Sequence, residues 1–247
     1  MSQPQPVHPK FPPGQNELPS GDGEPMETPI HRLQMNVLID SLEHAWSDRT
    51  DFYVGGNMFV YFSDLQLKHN EFRGPDVFVA MNTERKPRKS WVAWEEGQLP
   101  DLVIELASQS TREFDRTEKK RIYAKTWRLP EYFLFDPDTG EIEAWRLDPA
   151  RREYLPLLPD ENGDYPAATV GLKLGRRITR ASLYEGNLLR WIEPNGKVLP
   201  TGRELAEEQR ARAEEQRARA EEQRARAELA EARVRELEAK LGQQASS

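Results

Sequence analysis

Two acidic residues set in apolar runs, and one lysine shortly after them, carry the chemistry that this sequence can do. In "PDVFVA" Asp76 stands at the lip of a run of Val and Phe, and in "PDLVIELA" Glu105 sits inside an apolar run. Side chains alternate along a strand, so Leu102, Ile104 and Leu106 share one face while Asp101, Val103, Glu105 and Ala107 share the other. A carboxylate placed there costs on the order of several kcal/mol unless it is paired, hydrogen-bonded or bound to a cation. Two carboxylates from neighbouring strands offer the hard oxygen ligands that magnesium takes, with room left for water and a phosphate. In the next segment Asp115, Lys119 and Tyr123 are spaced four apart, along one face of a helix. From there the Lys119 ammonium can point over the acids, to offset charge on a scissile phosphate or help deprotonate a water. Plainer readings stand beside this one: Asp115 and Lys119 as an exposed helical ion pair, and Glu105 as the partner of an arginine on the helix.

Other polar residues divide between site and scaffold. Asp101, after Pro100, and Asp136, in "FDP", read as turn residues. Residues 112 to 128 hold Arg112, Arg116, Lys119, Lys120, Arg121, Lys125 and Arg128 against Glu113, Asp115 and Glu118, a local surplus of positive charge. With Arg85, Lys86, Arg88 and Lys89 before Trp91, they form the expected surface for a phosphate backbone. Trp91 and Trp94 read as apolar filling before they read as base-stacking platforms. The four histidines lack ligand spacing, and His31 reads as a packing or capping residue at the start of a helix. "GDG" at 21 to 23 has neither the helix nor the lysine of a phosphate loop.

The elements that must position these residues follow from periodicity. "HRLQMNVLIDSLEHAW" places Leu33, Val37, Leu38, Leu42 and Trp46 at helical spacing. "DFYVGGNMFVYFS" reads as two strands of a hairpin turning at Gly55 and Gly56. "PDVFVAM", "PDLVIEL", "EYFLFDP" and "EIEAWRL" are further strands, the last two joined by a turn at "DTG". A helix over 111 to 128, started by a Ser110–Glu113 capping box, falls between the second and third of them. The order predicts an α/β domain, a mixed sheet with a helix on at least one face.

Composition bounds the rest. The chain has 247 residues, no cysteine and a net charge of -7, which excludes a disulfide framework and a thiolate zinc site and fits a reducing cytoplasm. It gives no overall basic field for nucleic acid, so any DNA contact must be local. No signal-peptide pattern opens the sequence and no apolar run nears the roughly 20 residues of a membrane span, so no membrane partner is expected. Residues 1–28, rich in Pro, Gly, Gln and Ser, read as a flexible lead; 29–200, holding all six tryptophans, as one domain; 201–247 as a charged helix. In that helix the unit "AEEQRAR" repeats from Ala206, Ala213 and Ala220, and Thr201 with Glu204 marks its start. Glu208 with Arg212 and Glu215 with Arg219 support a self-standing helix. Ala230, Val234, Leu237 and Leu241 offer a seam for a weak coiled coil.

"PDVFVA", "PDLVIELASQST", "FDRTEKKRIYAKTWRLPEYFLFDP" and "LLRWIEPNGKVLPT" together resemble the Uma-two family of restriction-endonuclease-like proteins in the PD-(D/E)XK nuclease superfamily. The resemblance covers roughly residues 29 to 202. It implies a restriction-endonuclease-like fold, a central mixed sheet flanked by helices, and hydrolysis of DNA phosphodiester bonds with Mg²⁺, or Mn²⁺ in its place. Matched to the family pattern, Asp76 and Glu105 are the motif acids, and they would hold the metal with the backbone carbonyl of Leu106. Lys119, on the following helix, matches the family's lysine; two residues after the glutamate, where the superfamily usually has it, stands Ala107. Gln109 replaces a proline common in the family. Arg116, Tyr123 and Lys120 are expected to contact phosphate, and the superfamily suggests a homodimer. The rival expectations are a catalytically silent nucleic-acid-binding module and a helical assembly protein built on the same fold.

Overall fold

A computed structural model describes residues 13–14, 18, 28–63, 72–108, 111–181 and 184–244, with side chains left aside at 181, 234 and 236–244. Most of the expected N-terminal lead and Ser110 of the expected capping box therefore lie outside the described residues. The chain divides into two units, Met1–Thr201 and Gly202–Ser247.

The first unit opens with helix α1, Pro29–Ala45. Proline suits the first helical turn, where its missing N–H is no loss, and the Thr28 side chain accepts from the His31 N–H as the cap. Among the described residues twelve strands follow: β1 Phe52–Gly55, β2 Val60–Tyr61, β3 Phe72–Arg73, β4 Val77–Met81, β5 Trp91–Val92, β6 Leu102–Leu106, β7 Glu131–Phe135, β8 Ile142–Asp148, β9 Glu153–Pro156, β10 Tyr165–Ala167, β11 Leu172–Ala181 and β12 Tyr184–Ile192. The main sheet has six strands in the order β1-β4-β6-β7-β8-β9. Only β6 and β7 in it run parallel. A parallel pair needs a crossover, and the site helix, Arg112–Phe114 continuing through Asp115–Lys119 and Lys120–Ile122 to Tyr123–Trp127, supplies it.

Both faces of the sheet are covered, which is why β6 and β7 are buried at every residue. On one face Val77, Val79, Leu102, Ile104 and Leu106 pack with Leu38 and Leu42 of α1 and with Leu174, Leu189 and Trp191 of the β10-β11-β12 sheet. On the other, Phe78, Val103, Tyr132, Leu134 and Trp145 pack with Ile122, Tyr123 and Trp127 of the site helix. The expected alternation and the "DTG" turn between β7 and β8 are both present.

The hairpin read at Gly55 and Gly56 is not formed. β1 pairs with β4 in the main sheet, whereas β2 pairs with β3 and β5 in a separate small one. Gly56 serves a close approach instead: a Cβ there would lie 2.3 Å from the Asp76 carbonyl oxygen. The neighbouring Asn57 N–H donates to that same oxygen at 3.3 Å, so this segment is seated on the backbone of Asp76.

The second unit is a helix, Gly202–Gln244, with described side chains exposed from Ala206 to Arg233. Glu208–Arg212, Glu215–Arg219 and Glu222–Arg226 are ion pairs four residues apart, in the order that supports an isolated helix. Of the expected seam, Ala230 is exposed and Val234, Leu237 and Leu241 lie outside the described side chains.

Gln34 is the least sequence-like member of the core. Fully buried on α1, it donates to the Leu189 carbonyl at 2.9 Å and accepts from the Leu189 N–H at 2.8 Å. Its amide thus replaces the missing neighbour of edge strand β12. Replacing Gln34→Leu strands two buried backbone groups, and urea unfolding should show a loss of roughly 2–4 kcal/mol; an unchanged midpoint would disprove this role.

Candidate active site

Antiparallel register places the two acids together. Val77 pairs with Ile104, so the next step along both strands sets Asp76 opposite Glu105 on the site-helix face. The Asp76 N–H lies 3.4 Å from Glu105 Oε2, and the Leu106 N–H donates to Asp76 Oδ2 at 2.7 Å. Asp76 is thereby fastened across β6 by its backbone and its carboxylate.

The site helix closes over them. Its first turn is held by Ser108 and Thr111, each donating its N–H to the other's hydroxyl at 3.2 Å. Asp115, Lys119, Tyr123 and Trp127 are four apart, and in a regular α-helix such a stripe drifts by about 40° per step. The helix carries π-type hydrogen bonding over Asp115–Lys119 and Tyr123–Trp127. That widening keeps the stripe facing the sheet, a feature that recurs at functional sites. Lys119 Nζ lies 3.1 Å from Glu105 Oε2 and 2.8 Å from Asp115 Oδ1. The Tyr123 hydroxyl donates to Glu105 Oε1 at 2.6 Å.

Two carboxyl groups therefore contact one ammonium, and Asp76 acts on it from farther away. Burial pushes Glu105 up to about 7, with Lys119 opposing and Asp76 adding to the rise. Burial likewise raises Asp76, against the pull of Lys119, and raises Asp115 with help from Glu105. Burial lowers Lys119, but Glu105, Asp115 and Asp76 together outweigh it and hold the lysine above its ordinary value. Lys119 thus stays charged near neutrality, which suits charge stabilisation and excludes it as a resting general base. Tyr123 is raised far above its usual value by burial and by Glu105, so its hydroxyl remains a donor.

The opening of the site lies at Asp76 and Lys119. Asp76 is densely surrounded by protein yet keeps part of its surface to solvent. The Lys119 side chain is 18% exposed, whereas Glu105 has no exposure. The donor set fits a hard divalent cation in kind: an excess of buried acid over base, with Asp76 at the mouth. Among the described residues no three acids or histidines form a ready cage, and Lys119 stands between Glu105 and Asp115. Asp76 and Glu105 are hard oxygen donors of the kind magnesium takes, and a cation there would displace donors that Glu105 now holds.

The remaining expected residues fall elsewhere. The Leu106 carbonyl oxygen is already engaged by His31 Nε2 at 3.1 Å. A carbonyl only accepts, so Nε2 carries a proton, and Nδ1 lies 2.6 Å from the Thr28 hydroxyl. His31 thus holds the backbone beside Glu105 as well as capping α1. Tyr123 is fully buried and orients Glu105 rather than facing a phosphate. Arg116 pairs with Glu143 at 2.5 Å and with Glu141 at 3.6 Å. Lys120 sits over the Trp145 ring at 3.8 Å. The loop before Trp91 is similarly consumed, since Arg88 is buried against Glu96 and Arg85 lies over Phe52. Trp91 is fully buried, its indole donating to the Gln98 carbonyl.

Two residues that the sequence presented as bland belong to the site. Asp115 is a buried part of the charge cluster, not half of an exposed pair, and His31 is the second. The signal for Asp115 was the shared four-residue stripe; for His31 the sequence held none. Asp136 is a turn residue as expected, accepting from the N–H groups of Asp138 and Thr139, whereas Asp101 accepts from the Met81 N–H on the neighbouring strand rather than within a turn.

Comparison with known proteins places these residues in a wider group. The Uma2 family, described as "Putative restriction endonuclease", matches residues 9–181. "Uncharacterized protein slr1290" of Synechocystis sp. (strain ATCC 27184 / PCC 6803 / Kazusa) is 29% identical over 94 residues, 37% of this chain and 47% of that protein. The chain thus matches about half the length of this curated relative. A crystal structure described as a "putative nuclease belonging to DUF820", from Anabaena variabilis ATCC 29413, aligns with a TM-score of 0.43 at 16% identity, over 59% of this chain and 76% of that one.

The charge cluster has a consequence for stability. The folded protein holds the Glu105 proton more tightly than the unfolded chain, where the value is near 4.5. Its contribution to stability is complete below about pH 4.5 and is lost as the pH rises through about 7. Glu105→Gln lacks this loss, so its stability relative to wild type should rise across that window by on the order of 3 kcal/mol. Thermal unfolding of both proteins from acid to neutral pH measures it; parallel curves would contradict the assignment.

Proposed function

The chain belongs to the Uma2 family, and on that premise we propose that it is a metal-dependent endonuclease hydrolysing phosphodiester bonds of DNA. The observation that carries this reading is the meeting of Asp76 and Glu105 across paired strands, with the Lys119 ammonium on Glu105. Asp76 and Glu105 would hold Mg²⁺ or Mn²⁺. Bound there, the ion would supply Lewis acidity toward a phosphate oxygen and a more acidic water.

The chain's own groups do the rest. Lys119, kept charged by its three acidic neighbours, stabilises negative charge that builds on the phosphate as the bond breaks. Asp115 holds the lysine from the other side. Tyr123 fixes the Glu105 carboxylate through its hydroxyl, and the Leu106 N–H fixes Asp76. With each acid held by a donor from a different element, little rearrangement is required when charge develops.

A cleavage assay on supercoiled plasmid with Mg²⁺ or Mn²⁺ tests the reading. Wild type should nick or cut. Asp76→Asn and Glu105→Gln should each lose activity by at least about 10³-fold, and Lys119→Ala by about 10²–10³-fold. Tyr123→Phe, which leaves Glu105 less fixed, should lose about tenfold. Undiminished cleavage by the Glu105 and Lys119 variants, or none by wild type under any divalent metal, would refute it.

A further inference from the structure

The site helix and the loop before Trp91 spend their basic residues on the protein itself, so a substrate duplex must be gripped elsewhere. β11 and β12 offer a place. They pair continuously from Lys173↔Ile192 to Ala181↔Tyr184. At the inner end, the face bearing Leu172, Leu174 and Leu189 lies in the core. The same face of β11 then continues through Arg176, Ile178 and Arg180, all exposed, and Ile178 is 80% exposed. Among the described residues neither Arg176 nor Arg180 has an ion-pair partner, whereas Arg177 on the opposite face is paired with Asp164. Of the basic residues between 172 and 192, Lys173 is paired with Asp160, Arg177 with Asp164 and Arg190 is buried, which leaves Arg176 and Arg180 as the exposed cations, with Glu185 opposite Arg180 across the ribbon.

The ribbon packs on the face of the main sheet opposite the site helix and emerges at the same end of the sheet as the acids. Leu106 pairs with Phe135 in parallel register, and the turn after Phe135 contains Gly140. A Cβ on Gly140 would lie 2.7 Å from the Arg176 Cδ and 3.3 Å from the Asn187 Cβ. Further along α1, Gln34 is bonded to Leu189, while His31, one turn before it, reaches Leu106. Residue pairs beyond Arg176↔Leu189 therefore run outward past the level of the site.

Resting on the reading of the chain as a DNA nuclease, we propose that this β11–β12 ribbon enters the major groove of duplex DNA beside the active site. Arg176 and Arg180 take the phosphates and Ile178 faces the base edges between them. Four residues of extended chain span about 13 Å, close to the roughly 12 Å width of the major groove, which admits a two-stranded ribbon. A β-branched apolar tip suits the thymine methyl group exposed there. A protein partner fits less well, because one isoleucine between two arginines makes too small an apolar patch to anchor an interface. A second copy of the ribbon would bring like charges together.

The test uses the full chain and a short fluorescent duplex, without divalent metal, over a range of salt. The double variant Arg176→Gln/Arg180→Gln should bind at least about tenfold more weakly and lower the slope of log affinity against log salt by about 2. Ile178→Asp should weaken binding several-fold. Both should keep the wild-type unfolding midpoint. Wild-type affinity and slope in the double variant, from a protein that still cleaves DNA, would overturn the ribbon proposal and leave the nuclease reading standing. An equal loss on a single-stranded oligonucleotide would overturn the groove assignment. A change of mass in solution on Ile178→Asp, with DNA affinity intact, would make the ribbon a contact between copies instead. If wild type neither binds nor cuts DNA, the nuclease reading falls and the ribbon proposal with it.

Discussion

A carboxylate with no exposure to water, Glu105, is the constraint from which the rest of the domain follows. Left unpaired it would be costly enough to unfold a protein of ordinary stability. Three devices make it tolerable: the Lys119 ammonium, the Tyr123 hydroxyl and a rise in its own proton affinity. Lys119 and Tyr123 both come from the site helix, so the helix must lie tightly over β6 with its four-residue stripe turned inward. The π-type hydrogen bonding along that helix is the backbone's adjustment to this demand.

A second stripe of the same helix fixes its path. Arg112, Arg116 and Lys120 are four apart, and they meet Glu141, Glu143 and Trp145, which are two apart on or beside β8. Four helical residues rise about 6 Å and two strand residues about 6.8 Å, so the two sets stay in step. Arg112 also pairs with Asp136 at the head of the turn. The helix's positive charge is thus matched against the acids of the domain that carries it. One stripe serves the charge cluster and the other holds the helix in place.

Much of this was legible in the sequence because it depends on local periods. Alternation in "PDLVIEL" put Glu105 on the face opposite Ile104, and four-residue spacing put Lys119 above it. The same spacing grouped Asp115 and Tyr123 with Lys119, but burial decides their roles, and burial depends on what covers the helix. Charge counting over 112 to 128 misjudged the surface because the compensating acids lie on β8, across a crossover and a turn. Gly55-Gly56 looked like a hairpin because a glycine pair signals a turn and a close approach alike. Only the fold shows the Asp76 carbonyl against Gly56. His31 and Gln34 reach their partners 75 and 155 residues away, and no local pattern announces such contacts.

On the proposed reading Asp76 and Glu105 take up a cation, and in its absence protons and Lys119 balance their negative charge. Calorimetric titration with Mg²⁺ or Mn²⁺ in buffers of different ionisation enthalpy, slightly below the value of about 7 for Glu105, tests it most directly. Binding should be saturable with about one proton released per ion, lost in Glu105→Gln and weakened in Asp76→Asn. Binding that releases no proton, or that is equally tight in both variants, would contradict it.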